Sequence, residues 1–166
     1  MIRYIEKGHW LHKHIASKGY NLEQLDRVWV SSNDKAVQEI IDTFDPLPYA
    51  VIDALALVKE ASAAKRLQFV TQAAGKDSEY VFKAQEARQY DIDSTVGVFM
   101  QSRMDATGEP AASIAEEWNA KSNAWQIIGA SIAAIGDKSS IDIKAETDWR
   151  RCIVIANDAV TLIEAI

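Results

Sequence analysis

Cysteine, long apolar runs and positive charge are all scarce in this chain, and each scarcity excludes a class of protein. Cys152 is the single cysteine among 166 residues, so no intrachain disulfide can form. Lys, Asp or Glu interrupt every apolar run well before the roughly 20 residues that a bilayer span needs, so we expect no membrane protein. Asp and Glu outnumber Lys and Arg by 24 to 18. The resulting acidic chain lacks the concentrated positive charge of a nucleic-acid-binding surface.

The residues after Met1 also lack the basic flank and apolar stretch of a secretory signal, so we expect synthesis in the cytoplasm. What the chain does have is the composition of a folded globular protein, with 48% apolar and 25% charged residues. Strand signals are confined to the first 46 residues, and strong helix formers dominate the rest. The sequence therefore predicts a mainly α protein, with a small α+β domain over residues 1–46 and an antiparallel helical bundle domain over residues 47–166.

The N-terminal domain is expected to contain two short strands and two helices. Alternation over Ile2–Glu6 and the β-branched and aromatic residues of Arg27–Ser31 predict two strands that pair with each other. A short helix over His9–Lys18 precedes Gly19, a typical C-terminal cap. The second helix is predicted over Lys35–Phe44, behind N-cap candidates in Ser32-Asn33-Asp34.

Five helices are predicted in the bundle. The first runs from Pro48 to Ala74 and is expected to pack through a row of apolar residues on one face. The next two cover Asp77–Tyr90 and Ser94–Asp105. The fourth starts at Pro110 and ends at Gly136, and the fifth begins at Ser139 or Ser140. The residues predicted for the first stripe are Ile52, Ala56, Ala63, Leu67, Val70 and Ala74. Those predicted for the last two helices are Ile114, Trp118, Trp125, Ile128, Ile132 and Ile135, followed by Ala145, Trp149, Ile153, Ala156, Val160 and Ile163.

Few residues suggest catalysis. His9, His12 and His14 are the only histidines, and a zinc site would need a further ligand such as Glu6. The adjacent carboxylates Asp91/Asp93 and Glu116/Glu117 are more typical of caps and helix surfaces than of an acid–base pair. The sequence has no glycine-rich phosphate loop, nucleophile elbow or His-Glu-x-x-His pattern. We therefore assign no catalytic residue, metal or cofactor from the sequence.

The five tryptophans are the most distinctive residues that remain. Trp118, Trp125 and Trp149 fall on apolar helical stripes, which favours packing between helices. Trp10 and Trp29 lie in a small domain with little interior, so an interfacial role is an alternative to burial. Together with the neighbouring His9 and His12, they form the predicted partner interface.

Two parts of the chain resemble proteins encoded among bacteriophage tail genes. The first resembles the beginning of small proteins from prophage and phage tail-fibre regions. The second, with the Ala- and Ile-rich helix around Trp125, is similar to a helical module of tail-associated and tail-fibre-assembly proteins. The first part comprises Met1-Ile2-Arg3-Tyr4-Ile5, Gly8-His9-Trp10-Leu11-His12, residues 28–42 and Asp45-Pro46-Leu47. The second comprises residues 64–71, Gly75, Tyr80, Lys83, Glu86-Ala87 and Tyr90.

The resemblance implies a non-enzymatic protein that acts through protein–protein contact. It would either help a tail fibre or receptor-binding protein to fold and assemble, or stay in the particle as a minor tail component. The implied partner is a tail fibre or another tail protein, with a homo-oligomer as a further form of assembly and no cofactor. The implied location is the bacterial host cytoplasm during assembly, or the virion tail.

Two alternatives stay open. A host-takeover factor that binds and inhibits a bacterial protein would suit the acidic surface. A small enzyme using the His9/His12 region is the other.

Overall fold

The computed structural model describes residues 2–69 and 76–166. In these ranges the chain is mainly α, with seven helices and a two-stranded antiparallel sheet in a small α+β unit near the N-terminus, as predicted. The elements in chain order are α1 (His9–Ser17), β1 (Leu22–Leu25), β2 (Val28–Ser31), α2 (Asp34–Thr43), α3 (Leu47–Leu67), α4 (Lys76–Asp93), α5 (Val98–Thr107), α6 (Ala111–Ala145) and α7 (Trp149–Glu164).

The chain divides into two compact units. Unit 1 combines Met1–Leu57 with Ser140–Asn157, and unit 2 combines Val58–Ser139 with Asp158–Ile166. Residues 1–46 all lie in unit 1, whereas the domain boundary predicted at residue 46 stays a prediction.

The sheet of unit 1 is a hairpin, and only one of its two strands was predicted from the sequence. The strand predicted over Arg27–Ser31 is present as β2, but its partner is β1, with Leu25 opposite Val28. The predicted pairing of Ile2–Glu6 was wrong, because Ile2 makes an isolated bridge to Trp29 instead of an extended ladder. The turn residues Asp26 and Arg27 have φ values of 48° and 68°. Two left-handed residues between paired strands match a type I′ turn, whose twist fits the hairpin.

Both predicted helices of the α+β unit are present as α1 and α2. The Asn33 side chain accepts a hydrogen bond from the Ala36 N–H and caps α2. The core of unit 1 also takes residues from α3, α6 and α7. Cys152 is fully buried there, as predicted for a small apolar residue, and burial raises the pKa of its thiol. The buried side chains include Leu11, Ile15, Val37, Ile41, Phe44, Ala50, Ala54, Ile143, Cys152 and Ala156.

Helix α3 buries a different face from the predicted stripe. Ile52 and Leu67 are 65% and 53% exposed, while the buried positions recur every four residues at Ala50, Ala54, Val58 and Ser62. Near Ser62, a Cβ added to Gly136 of α6 would lie 3.7 Å from the Ser62 hydroxyl. Small side chains therefore line the face of α3 that packs, and large ones face outward. The last predicted stripe residues, Val70 and Ala74, and the helix stop at Gly75 lie outside the described residues.

Unit 2 has an apolar core beneath α4, α5 and the start of α6. It includes Ala87, Met100, Ala111, Ile114, Ala115 and Trp118. Helix α5 begins at Val98 rather than at Ser94, because residues 94–97 form the connection from α4. Pro110 precedes α6 by one residue and its carbonyl accepts from the Ser113 N–H. The predicted helix start is therefore correct to within one residue.

The division between the last two helices lies later than predicted. Gly136 does not end a helix, since α6 continues through it to Ala145. The break falls at residues 146–148, where the Glu146 carboxylate accepts from the Thr147 and Asp148 N–H groups. The Asp148 side chain then accepts from the Arg150 N–H at the start of α7. Hydrogen bonds from backbone N–H groups to these carboxylates fix the break, because they satisfy donors near the helix ends.

Candidate partner-binding surface

All four residues of the predicted interface lie in unit 1, where they form two aromatic groups. Trp29 and His12 belong to the first group, with ring centroids 5.7 Å apart. His9 and Trp10, neighbours in α1, belong to the second, with centroids 4.5 Å apart. The structure thus places all four residues in one unit but in two different environments.

Tyr4 joins the first group, which we call the Trp29 cluster (Tyr4, His12 and Trp29). The Tyr4 ring stacks on Trp29 with centroids 4.2 Å apart and an interplanar angle of 18°. Its hydroxyl lies 3.0 Å from His12 Nε2. All three side chains are half-buried, so each keeps part of its surface open to solvent. The cluster presents flat aromatic area together with polar atoms, a combination enriched at protein interfaces.

Glu6 extends the hydrogen bonding of the Trp29 cluster. The Tyr4 hydroxyl donates to Glu6 Oε2 at 3.3 Å, and Glu6 Oε1 accepts from the Gly8 N–H at 2.8 Å. Burial, assisted by the nearby Glu6 charge, raises the pKa of Tyr4. Tyr4 therefore stays neutral near neutral pH, and its hydroxyl holds His12 and Glu6 in place.

In the second group Trp10 is buried, whereas His9 is exposed. The Trp10 indole N–H donates to Asp53 Oδ2 at 2.8 Å, and His9 Nε2 lies 3.7 Å from the same oxygen. The Trp10 ring meets Trp149 edge to face at 5.7 Å. Trp10 is only 7% exposed. In the isolated chain Trp10 is thus a packing residue, and its predicted role in partner binding stays a prediction.

Exposed apolar side chains lie at the end of the hairpin that carries Trp29. Leu25 and Val28, which flank the turn, are 58% and 38% exposed. Both are apolar surface on the element that holds the Trp29 cluster. The hairpin therefore carries aromatic and aliphatic surface that is open to a partner.

The histidines contact different groups. His9 faces Asp53, His12 faces Tyr4, and His14 lies against the Phe44 ring with centroids 5.1 Å apart. Within residues 2–69 and 76–166, no group of three His, Cys, Asp or Glu side chains has the arrangement of a metal site.

The adjacent carboxylates are held in structural hydrogen bonds. Asp91 accepts from the Asn119 amide, and Asp93 accepts from the Thr95 N–H at 2.9 Å. Glu117 pairs with Arg103 at 2.6 Å and with Lys121, and these two cations lower the pKa of Glu117 to about 2. Asp91, Asp93 and Glu117 therefore each stabilise a local element of unit 2.

Sequence reasoning missed Tyr4, Asp53 and Trp149 as parts of these groups. Tyr4 was included in a predicted strand, where alternation gives no sign of an aromatic stack with Trp29. Asp53 is distant in sequence from Trp10, and only the folded helices bring the two together. Trp149 was predicted to pack between helices, and its edge-to-face contact with Trp10 is such packing.

Comparison with known proteins gives no relative. No protein-family model, curated protein sequence or solved structure matches the chain significantly. Along the described stretches of the chain, every helix is too short or too polar to cross a bilayer.

Proposed function

We propose that the chain is a non-enzymatic protein of the bacteriophage tail region that acts through protein–protein contact. It assists the assembly of a tail fibre or receptor-binding protein, or it forms a minor tail component. The observation that carries the proposal is the resemblance of residues 1–12, 28–47 and 64–90 to proteins encoded among phage tail genes.

The Trp29 cluster supports this proposal from the side of the structure. Aromatic residues with a polar handle are the usual anchors of protein interfaces, and a few of them supply most of the binding energy. Trp29 stacks on Tyr4 and is half-buried, so its ring is already ordered before a partner arrives. Ordering beforehand reduces the entropy lost on binding. A chaperone with a moderate interface needs such anchors with a polar rim.

A direct test compares gradient-purified virions with infected-cell lysate by quantitative mass spectrometry. A fixed ratio of this chain to the major tail protein would identify a permanent tail component. Abundance in the lysate together with absence from particles would favour an assembly chaperone. Absence from both fractions during infection would contradict the proposal.

The role of Trp29 is tested by binding to the product of the adjacent fibre gene. We expect Trp29→Ala to weaken that binding by at least tenfold, since truncation of an interface anchor costs about 2 kcal/mol or more. Trp125→Ala is the matched control, because Trp125 is a partly exposed tryptophan of unit 2, at 36%. Equal binding by both variants, with unchanged circular dichroism, would remove Trp29 from the interface.

One observation favours a second function. The net charge of −6 suits a host-takeover factor that binds and inhibits a bacterial protein. Affinity capture from uninfected host lysate distinguishes the two functions. A single host protein retained at a fixed ratio, and lost with Trp29→Ala, would favour the host-directed function.

A further inference from the structure

The connection between α4 and α5 exposes an apolar surface in unit 2. We call it the junction surface and define it by Phe82, Ile92, Val96, Val98 and Phe99. Val98 is 82% exposed and Ile92 is 78% exposed. Phe82 and Phe99 are stacked with centroids 6.1 Å apart, so α4 and the first turn of α5 contribute to one patch. Exposed apolar side chains grouped near one connection mark interaction sites more often than isolated ones do.

The junction surface is held rigidly. Ser94 ends α4 with a left-handed φ of 62°, and the Asp93 carboxylate accepts from the Thr95 N–H at 2.9 Å. The Glu86 carboxylate accepts from the N–H groups of Phe99 and Met100 at 3.0 and 2.8 Å, which caps α5. Specific hydrogen bonds therefore fix a segment whose apolar side chains point to solvent. A fixed segment loses little conformational entropy when a partner docks.

The core beneath the junction surface anchors it further. Met100 and Ala87 are fully buried in the apolar core of unit 2. Met100 directly follows Phe99, so the exposed residues belong to a turn whose other side is packed. The exposure of Val98 is thus a property of the folded unit.

The rim of the junction surface is acidic. Asp91 and Asp93 flank Ile92, and Asp105 follows Val98 by seven residues, which places it on the same face of α5. These carboxylates accept hydrogen bonds from the neutral side chains of Asn119, Gln89 and Gln101, respectively. The Arg103 cation of the same helix pairs with Glu109 and Glu117 instead. Three aspartates thus lie on the same segments as the exposed apolar residues and supply negative charge there.

We propose that the junction surface docks a basic amphipathic helix of a partner protein. Such a helix places apolar side chains at i, i+3, i+4 and i+7 against the patch and its Lys or Arg side chains against the three aspartates. The charges of the two surfaces are complementary, which sets partner choice and orientation. This inference is independent of the proposed tail role, because it rests on the exposure and charge of the junction surface and not on the resemblance to tail proteins.

The test measures binding of a labelled synthetic helix by fluorescence anisotropy. The probe is a peptide of about 18 residues, or five turns, with leucines at the four anchor spacings and lysines elsewhere. A second peptide replaces each lysine with glutamate. We expect the lysine peptide to bind, the glutamate peptide to bind at least tenfold more weakly, and added salt to weaken the lysine peptide.

Matched variants locate the binding site. We expect Ile92→Ser/Val98→Ser to weaken the lysine peptide about tenfold or more, because it removes apolar contact area. Ile52→Ser/Val154→Ser removes the same residue types from exposed positions of unit 1, 65% and 53% exposed, and should bind normally. Asp105→Asn should also weaken binding. Its control is Asp42→Asn, because Asp42 likewise accepts from a glutamine four residues earlier.

Three results would overturn the proposal. Equal binding of the lysine peptide by all variants would mean non-specific attraction to an acidic protein. Equal binding of both peptides, or of neither, would remove charge complementarity. A wild-type dimer that Ile92→Ser/Val98→Ser converts to monomer in sedimentation would mean that a second copy covers the surface.

Discussion

Trp10 and Trp29 look alike in sequence, each in the N-terminal part of the chain, but they occupy different environments. Trp10 is 7% exposed and bonds to Asp53, whereas Trp29 is half-buried in a stack with Tyr4. The difference arises because residues 140–157 supply Trp149, which covers Trp10. The environment of an aromatic residue therefore depends on which distant segment reaches it.

Trp10→Ala should destabilise the chain strongly. Removing a buried tryptophan leaves a cavity beside Trp149, and large-to-small core changes of this type cost about 3–5 kcal/mol. Trp10→Phe keeps a ring and should cost less, although it loses the hydrogen bond to Asp53. Urea unfolding followed by circular dichroism measures both. A cost for Trp10→Ala no larger than that for the partly exposed Trp125→Ala would contradict the packing role of Trp10.

Arg27→Gly should stabilise the hairpin. Arg27 has a φ of 68°, a conformation that L-residues adopt at a cost and glycine adopts freely. We expect a gain of about 0.5–1 kcal/mol in the free energy of unfolding. Lys13→Gly is the opposite control. Because Lys13 lies inside α1, glycine there should lower the free energy of unfolding by about as much as Arg27→Gly raises it. A loss of stability with Arg27→Gly would mean that Arg27 makes a favourable contact in the turn.

At the scale of elements, the start of α5 depends on a side chain from α4. Glu86 accepts from the Phe99 and Met100 N–H groups, and a Cβ on Gly97 would lie 2.1 Å from the Glu86 carboxyl carbon. The φ of Gly97 is −80°, which any residue can adopt. Position 97 thus needs glycine because a larger side chain would collide with the capping carboxylate of Glu86, and not because of the backbone conformation of Gly97.

A double-mutant cycle tests this dependence. Glu86→Ala and Gly97→Ala should each cost about 1–2 kcal/mol, the usual loss when a helix cap is removed. The double variant should cost about the same as either single variant, because both changes remove the same interaction. Thermal or urea unfolding measures the three free energies. Additive costs would mean that Gly97 and Glu86 act independently.

The sequence identified helices well and their packed faces less well. Asn33 and Gly19 mark the ends of α2 and α1 because capping chemistry is local. The prediction of the packed face of α3 was wrong because apolar residues occur on several sides of the helix, so periodicity does not distinguish Ala54 from Ile52. The prediction that a helix ends at Gly136 was wrong because the long helix α6 tolerates a glycine at helical φ and ψ.

The candidate surface was predictable in part. The sequence treated Trp10 and Trp29 alike because a small unit has little interior, and the structure buries Trp10 but leaves Trp29 half-buried in the hairpin. The strand β1 was missed because Arg27 stands where a type I′ turn usually has glycine, so Asp26-Arg27 gives no clear turn signal. Contacts such as Trp10 with Asp53 depend on tertiary structure, and no local pattern indicates them.

At the scale of the whole molecule, stability should fall in acid. Hydrogen bonds and ion pairs with Arg103 lower the pKa of Glu109, and those with Arg103 and Lys121 lower that of Glu117 to about 2. Backbone N–H groups lower the pKa of Glu146. A carboxyl whose folded pKa is below its unfolded pKa stabilises the fold above the unfolded value. That contribution is lost as pH falls through the folded pKa.

We therefore expect the free energy of unfolding to decrease as pH falls from about 4.5 towards 2. The decrease should be modest because these groups are exposed and screened by water. Urea unfolding at several pH values measures it, and Glu117→Gln should flatten the dependence. An unchanged slope in Glu117→Gln would mean that the Arg103 network does not contribute.

The composition of unit 1 has a consequence for synthesis on the ribosome. Residues 1–57 leave the ribosome before residues 140–157, which complete the unit about 100 residues later. At about 5–20 residues per second, the delay is roughly 5–20 seconds. During this interval the nascent chain lacks Trp149 over Trp10 and Cys152 in the core. Unit 1 therefore cannot finish folding until residues 140–157 have emerged, and its apolar residues are open to cellular chaperones in the meantime.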